Sequence, residues 1–249
     1  VGDSGTADDD HRLSWPAAVG DLLLGARCLA CLRPWWGLCP RCRGALRART
    51  ARLTSPTPCP DGFPITATAG DYDLPMRRLI VAHKERQALA LAPVLGELLA
   101  VACWHLLRSR DDGLPAGSLT LVPVPSARAA VRGRGYDATT TLARRAAARL
   151  RPAVAVRVRR LLRHGRSVHD QAGLDAAARR RNLADSLRVR DVASTRATAA
   201  TAGPGPVIIV DDLVTTGATL AEADRALTAA GITVLGAATI AATRKLHAN

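Results

Sequence analysis

The chain has 249 residues, 48% of them hydrophobic and 22% charged, a balance that excludes a disordered or fibrous chain and allows one sizeable domain with a small appendage. The formal net charge of +14 points to nucleic acid, phosphorylated ligands or an anionic membrane surface as partners. Only Lys84 and Lys245 among the 35 basic residues are lysines, so compositional drift toward arginine explains the excess as well as function does. The clustering says more: eleven arginines face three aspartates between 151 and 190.

No apolar run approaches the ~20 residues that span a bilayer. The stretch AAVGDLLLGARCLAC follows Asp8, Asp9 and Asp10 rather than positive charge, and Asp21 interrupts it, so it reads as an amphipathic lead-in and not as a signal. A cytoplasmic location is expected. Residues 1–20 read as an acidic, disordered tail with this lead-in.

Residues 21–62 read as a cysteine module and its linker. Cys28, Cys31, Cys39 and Cys42 form two Cys-x-x-Cys pairs seven residues apart. Two such pairs can set four thiolates tetrahedrally around Zn²⁺. A redox dithiol is the alternative, and two neighbouring pairs in a reducing compartment favour a structural metal. Arg27, Arg33, Arg41 and Arg43 would offset the net −2 of a zinc tetrathiolate. Trp35 and Trp36 lie at the tip of the intervening loop and are expected to pack on the main domain. Cys59 and Cys103 have no partner spacing. Pro56, Pro58, Pro60, Gly62 and Pro64 mark the linker.

From residue 63 onward strands and helices alternate. FPITATAG predicts a strand. The run from Met76 to Arg110 predicts helix, broken near Glu85 or Pro93. SLTLVPVP is a strand, YDATTTLARRAAARL a helix, AVAVRV a strand, GLDAAARRRNLA a short helix and SLRVR a strand. VIIVDD is a strand, GATLAEADRALTAAG a helix, and ITVLGAATIAAT the last strand. The order implies an α/β fold with a mostly parallel sheet and helices on both faces.

The stretch VIIVDDLVTTGATL carries the strongest chemistry. Its apolar run suits a central parallel strand buried on both faces, and ligands of such sheets sit beyond the carboxyl ends of the strands. Asp211 and Asp212 stand there. Carboxylates only accept hydrogen bonds, and a ribose cis-diol supplies two donors. Thr215, Thr216, Gly217, Ala218 and Thr219 then turn into a helix, whose open N–H groups bind anions. A ribose 5-phosphate answers both demands. The plain alternative is a strand followed by a capped helix.

The stretch resembles the phosphoribosyl-pyrophosphate (PRPP) signature of type I phosphoribosyltransferases at every diagnostic position. That resemblance implies that Asp211 and Asp212 hold the ribose hydroxyls at the reacting sugar and that Thr215 to Thr219 bind the 5′-phosphate. The wider order of DLLLGARCLAC, the cysteine pairs, Lys84, VPVPSARAAVRGRGYD and QAGLDAAARRRNL resembles the ComF/GntX-like family, named for bacterial competence. The resemblance implies a phosphoribosyltransferase-like domain over 63–249 and transfer of a phosphoribosyl group with release of pyrophosphate. Mg²⁺ would accompany PRPP and Zn²⁺ the cysteines. It implies Arg128, Arg132 and Arg134 as pyrophosphate ligands, with Lys84, Arg163 and Arg181 as further candidates. Single-stranded DNA or DNA-processing proteins are the other expected partners. Where the family reads Arg-Gly-Phe-Asn-Gln, this chain has Arg134-Gly135-Tyr136-Asp137-Ala138, and Asp137 would repel a pyrophosphate unless a metal intervened. The rival reading is a non-catalytic nucleic-acid or competence protein that keeps the pocket as a sensor.

Overall fold

The computed structural model describes residues 26–110, 118–165, 186–190 and 205–243. The 1–20 tail, the GLDAAARRRNLA helix and Arg181 lie outside them.

Five strands form a parallel sheet: β2 (Thr66–Thr68), β3 (Leu119–Pro123), β4 (Val156–Val158), β7 (Val207–Val214) and β8 (Val234–Ala242). A short β1 (Arg52–Thr54) pairs antiparallel with β2 at one edge, giving the order β1-β2-β8-β7-β3-β4. The expected mostly parallel α/β sheet is therefore present. β1 lies just before the proline-rich stretch that reads as linker, so the 21–62 segment also supplies the sheet edge. β5 (Leu162–His164) and β6 (Leu187–Val189) stand apart as an antiparallel pair.

Helices cover both faces. On one, α3 (Ala92–Arg108) and α5 (Ala138–Leu150) pack together over Leu119, Leu121, Ile208 and Val210. Small residues allow the close approach: a Cβ on Gly96 would sit 2.3 Å from Arg145 Cβ. On the other face α6 (Ala218–Ala229) lays Leu220, Ala223 and Leu227 against Val207 and Ile209. The arrangement explains the composition, since alanines rather than aromatics fill the narrow gaps between layers.

The long helical run breaks where expected. Asp73 caps α2 (Leu74–Glu85), its carboxylate accepting from Met76 N at 3.0 Å. A 3-10 turn (Leu89–Leu91) follows, and Pro93 sits in the first turn of α3. One expectation fails here. Leu89–Arg108 is long and apolar enough to cross a membrane by length and composition, though 61% of its apolar window is buried inside the fold. Its continuous apolar character comes from being covered by α5, β8 and the cysteine module.

The chain winds from β3 out to β4 in one direction and from β7 out to β8 in the other. The order therefore reverses between β3 and β7, the place where doubly wound sheets open a ligand crevice. β3 ends opposite Val210, with Val124 N donating to Val210 O at 3.0 Å. β7 does not end at the acids as expected. β8 keeps pairing with it through Asp211↔Thr239, Leu213↔Ala241 and Val214↔Ala242, so the strand runs through both aspartates.

Candidate functional site

Beyond Val124 β7 has lost its β3 neighbour, and the two acids stand at that gap. Asp212 is buried, with 7% of its side chain exposed, and Lys84 Nζ lies 3.1 Å from its Oδ2 and 3.4 Å from its Oδ1. Asp211 is half-buried and its Oδ1 accepts from Asp212 N at 2.8 Å. Burial, then the neighbouring Asp212 charge, pushes the Asp211 carboxyl well above the usual carboxylate range. Burial alone would lower the Lys84 pKa, but the two carboxylates outweigh it and the net shift is upward. The structure thus brings Lys84 to the acids across 128 residues of sequence.

Lys84 is placed by Arg134 and Tyr136. Arg134 is 8% exposed in its side chain, and its Nη1 donates to Lys84 O at 2.6 Å and lies 3.5 Å from Glu85 Oε1. The Tyr136 hydroxyl donates to His83 O. Cationic and phenolic donors on the last carbonyls of α2 satisfy groups the helix leaves open. Arg134 in this arrangement positions Lys84. Asp137 has three partners of its own. It caps α5 by accepting from Thr140 N at 3.1 Å, accepts from Ser126 Oγ at 3.3 Å, and pairs with Arg160 Nη2 at 3.5 Å. His83 is a packing residue, its ring 5.7 Å from Tyr136; burial lowers its pKa and keeps it neutral.

The turn after the acids is partly covered. Gly217 opens α6 at φ +77°, a left-handed conformation that suits glycine. A Cβ there would meet the Phe63 ring at 2.7 Å and Pro56 Cγ at 2.8 Å. The direction a side chain would take there is filled by the segment preceding β2. Thr215, Thr216 and Thr219 are exposed and Ala218 is half-buried, so an anion has access from the threonine side.

Arg132 and Arg163 come together with residues that sequence reasoning missed. A cleft of about 360 Å³ is lined by Ser126, Arg132, Arg160, Arg163, His164 and Arg190, among others. His164 Nε2 lies 2.9 Å from Pro125 O, and Arg190 Nε donates to Leu162 O at 3.1 Å. The cleft adjoins the end of β3, one residue past Val124. The arginine excess over 151–190 was the signal, but not which arginines converge. α4 (Arg128–Arg134) carries Arg128 on its first turn. Glu222 was also missed. Buried on α6, it accepts from Leu187 N at 3.0 Å and Arg225 Nε at 2.7 Å, and so ties the β5–β6 pair to the helix.

The cysteine sulfurs of Cys28, Cys31, Cys39 and Cys42 all lie within 4.8 Å of one another. Cys31 Sγ and Cys39 Sγ are 3.9 Å apart, too far for a disulfide and close to the ~3.8 Å edge of a tetrahedron with Zn–S bonds of about 2.3 Å. Cys39 N donates to Cys28 Sγ and Cys42 N to Cys39 Sγ, each at 3.4 Å. The donor set fits a structural zinc, which would cross-link the knuckle to α1 (Pro40–Arg47). Burial works against the Cys28 thiolate, yet N–H donors from Cys31, Cys39 and Ala30 bring its pKa down to about 7. Burial and the Cys28 charge push Cys39 up. Four thiolates therefore need a cation. Arg27 is not aimed at the sulfurs: its Nη1 donates to Leu32 O at 3.3 Å.

The module is not a separate body. Cys28, Ala30, Leu38 and Leu46 join the core cluster of α2 and α3, Arg78 Nη1 donates to Ala30 O at 3.0 Å, and Trp35 packs against the same cluster. Trp36, expected to pack, is 65% exposed. Burial in α3 pushes the Cys103 thiol up to about 12, and Cys59 is exposed.

No protein-family model matches the chain, and no curated protein does. The class that fold and site define is an α/β protein with a mostly parallel sheet, two adjacent carboxylates at its switch point and a four-cysteine cluster of metal-binding geometry.

Proposed function

We propose that the chain is a type I phosphoribosyltransferase-like protein of the ComF/GntX-like kind, which binds PRPP with Mg²⁺ and transfers its phosphoribosyl group to an acceptor. One observation carries the reading: two adjacent carboxylates stand at the switch point on a buried parallel strand that leads directly into an open helix start. Asp211 and Asp212 accept from the ribose hydroxyls. Thr215, Thr216 and Thr219, with the first N–H groups of α6, take the 5′-phosphate. The pyrophosphate end lies toward the arginine cleft, where Arg132 and Arg163 meet the charge that develops as the anomeric bond breaks. Mg²⁺ enters as part of the diphosphate ligand. The zinc cluster holds the knuckle against α2 and α3.

A second reading keeps the pocket but not the turnover: a nucleic-acid or competence protein that senses PRPP. The engagement of Arg134 with α2 favours it, because a nominated pyrophosphate ligand is occupied elsewhere. Calorimetry with PRPP, with and without Mg²⁺, tests the shared pocket. A pyrophosphate-release screen over bases and amines then separates the readings. Binding with release supports transfer, binding without release supports the sensor, and no binding overturns both.

A further inference from the structure

We propose that Lys84 and Asp212 form a latch that only a ligand joining an anionic group to a vicinal diol can open. The inference rests on the reading of the acids as a ribose site and adds a selection rule to it.

The two partners are unequally exposed. Asp212 has 7% of its side chain exposed and Lys84 39%, so the ammonium is the part a ligand meets first. Lys84 is the cation paired with Asp212 among the described residues. Its backbone is fixed, since Arg134 donates to Lys84 O and Tyr136 to His83 O. Its four-carbon stem is not: the ammonium is a point charge on a flexible chain that can turn from one acceptor to another.

Three ligand classes then behave differently. A neutral sugar offers Lys84 no anion, so the ammonium stays on Asp212 and competes with the hydroxyls for its oxygens. An anion without the diol draws Lys84 away but leaves a buried carboxylate without donors, which is costly. A phosphorylated ribose does both at once: its phosphate oxygens take the ammonium and its hydroxyls replace it on Asp212. The pair makes recognition conditional on both ends of the ligand, and the buffered Asp212 charge is never exposed alone.

With only two lysines in the chain, the latch can be watched directly. Reductive ¹³C-dimethylation keeps the positive charge and labels Lys84, Lys245 and the α-amino group, and the Lys84 signal is assigned as the one lost in Lys84→Arg. PRPP or ribose 5-phosphate is expected to shift the Lys84 signal. Methyl riboside is expected to leave it in place. In Lys84→Met, the preference for ribose 5-phosphate over methyl riboside is expected to shrink about tenfold or more, as befits loss of a charge-assisted contact. Lys84→Arg keeps the charge and should keep most of the preference. A ligand that binds by calorimetry while the Lys84 signal stays put overturns the latch alone, as does an unchanged preference in a folded Lys84→Met protein. Failure of wild type to bind any phosphorylated ribose overturns the ribose reading itself and takes the latch with it.

Discussion

The cysteine cluster and the acidic stretch of β7 face one problem, negative groups held against each other, and answer it differently. Around the sulfurs the hydrogen-bond partners are backbone N–H groups and other sulfurs, and Arg27 turns to a carbonyl. Around Asp212 the chain supplies its own counter-ion, on a stem that can leave. The first is suited to a cation bound once, during folding. The second is suited to a partner exchanged at every binding event. A permanent site asks for geometry, and an exchangeable one asks for a movable charge.

The largest expected effect tests the permanent half of that contrast. Cys31→Ser should lose the metal and destabilise the whole domain, because the knuckle shares the core of α2 and α3. A loss of at least about 3 kcal/mol is expected, or several degrees in Tm for a chain this size. Cys59→Ser, exposed and outside the cluster, should change neither metal content nor Tm. Metal analysis and thermal unfolding of both variants check this, and equal behaviour would remove the structural metal.

Glu222→Ala comes next. It strips a buried carboxylate from Leu187 N and Arg225, and should cost about 3 kcal/mol, with hydrogen exchange rising in β5 and β6 before the central sheet. Equal protection of β5, β6 and the central sheet would show that the β5–β6 pair is held by something else.

Gly217→Ala sharpens the contrast from the ligand side. Its Cβ meets Phe63 and Pro56, and its left-handed backbone disfavours a side chain, so a loss of about 1–2 kcal/mol is expected. Adding Phe63→Ala should relieve the contact but not the backbone strain. Were the alanine variant fully stable yet unable to bind phosphate, the covered face would be the anion face after all.

The smallest effect is Tyr136→Phe, which removes one hydrogen bond to His83 O and should cost about 1 kcal/mol. Loosening the end of α2 should make Lys84 a less constant partner for Asp212.

How far the sequence could be read follows from the range of each interaction. The cysteine set is local, two i,i+3 pairs, and so was legible as a metal site. The acids and the turn into α6 form one continuous stretch, and their place at the switch point follows from strand order. What stayed hidden is nonlocal. The Lys84–Asp212 pair spans 128 residues, Arg78 reaches Ala30 across 48, and neither has a periodic trace in the chain. The resemblance marked Arg134 as a phosphate ligand, and nothing local in the sequence showed that its Nη1 also donates to the Lys84 carbonyl at the end of α2. A proline-rich stretch looked like linker because prolines break helices, yet three residues just before it complete the sheet edge.

The central claim is that the acids are kept for a ligand and not for the fold, and Asp211→Asn tests it most directly. The folded pKa of Asp211 lies above its unfolded value of about 3.9, so the folded state holds the proton more tightly. Stability contributed by the group is therefore present at low pH and falls as pH rises through the folded pKa. Asp211→Asn removes that loss and should be more stable than wild type above the window, while Asp212 N can still donate to the amide oxygen. The same variant should bind PRPP with Mg²⁺ about tenfold or more weakly, because an amide NH₂ replaces one of the oxygens that accept from the ribose hydroxyls and leaves a donor facing a donor. Calorimetry and thermal unfolding at neutral pH on wild type and variant give both numbers. Weaker binding with higher stability is the predicted result. Unchanged affinity, or a variant that binds poorly only because it has unfolded, contradicts the account.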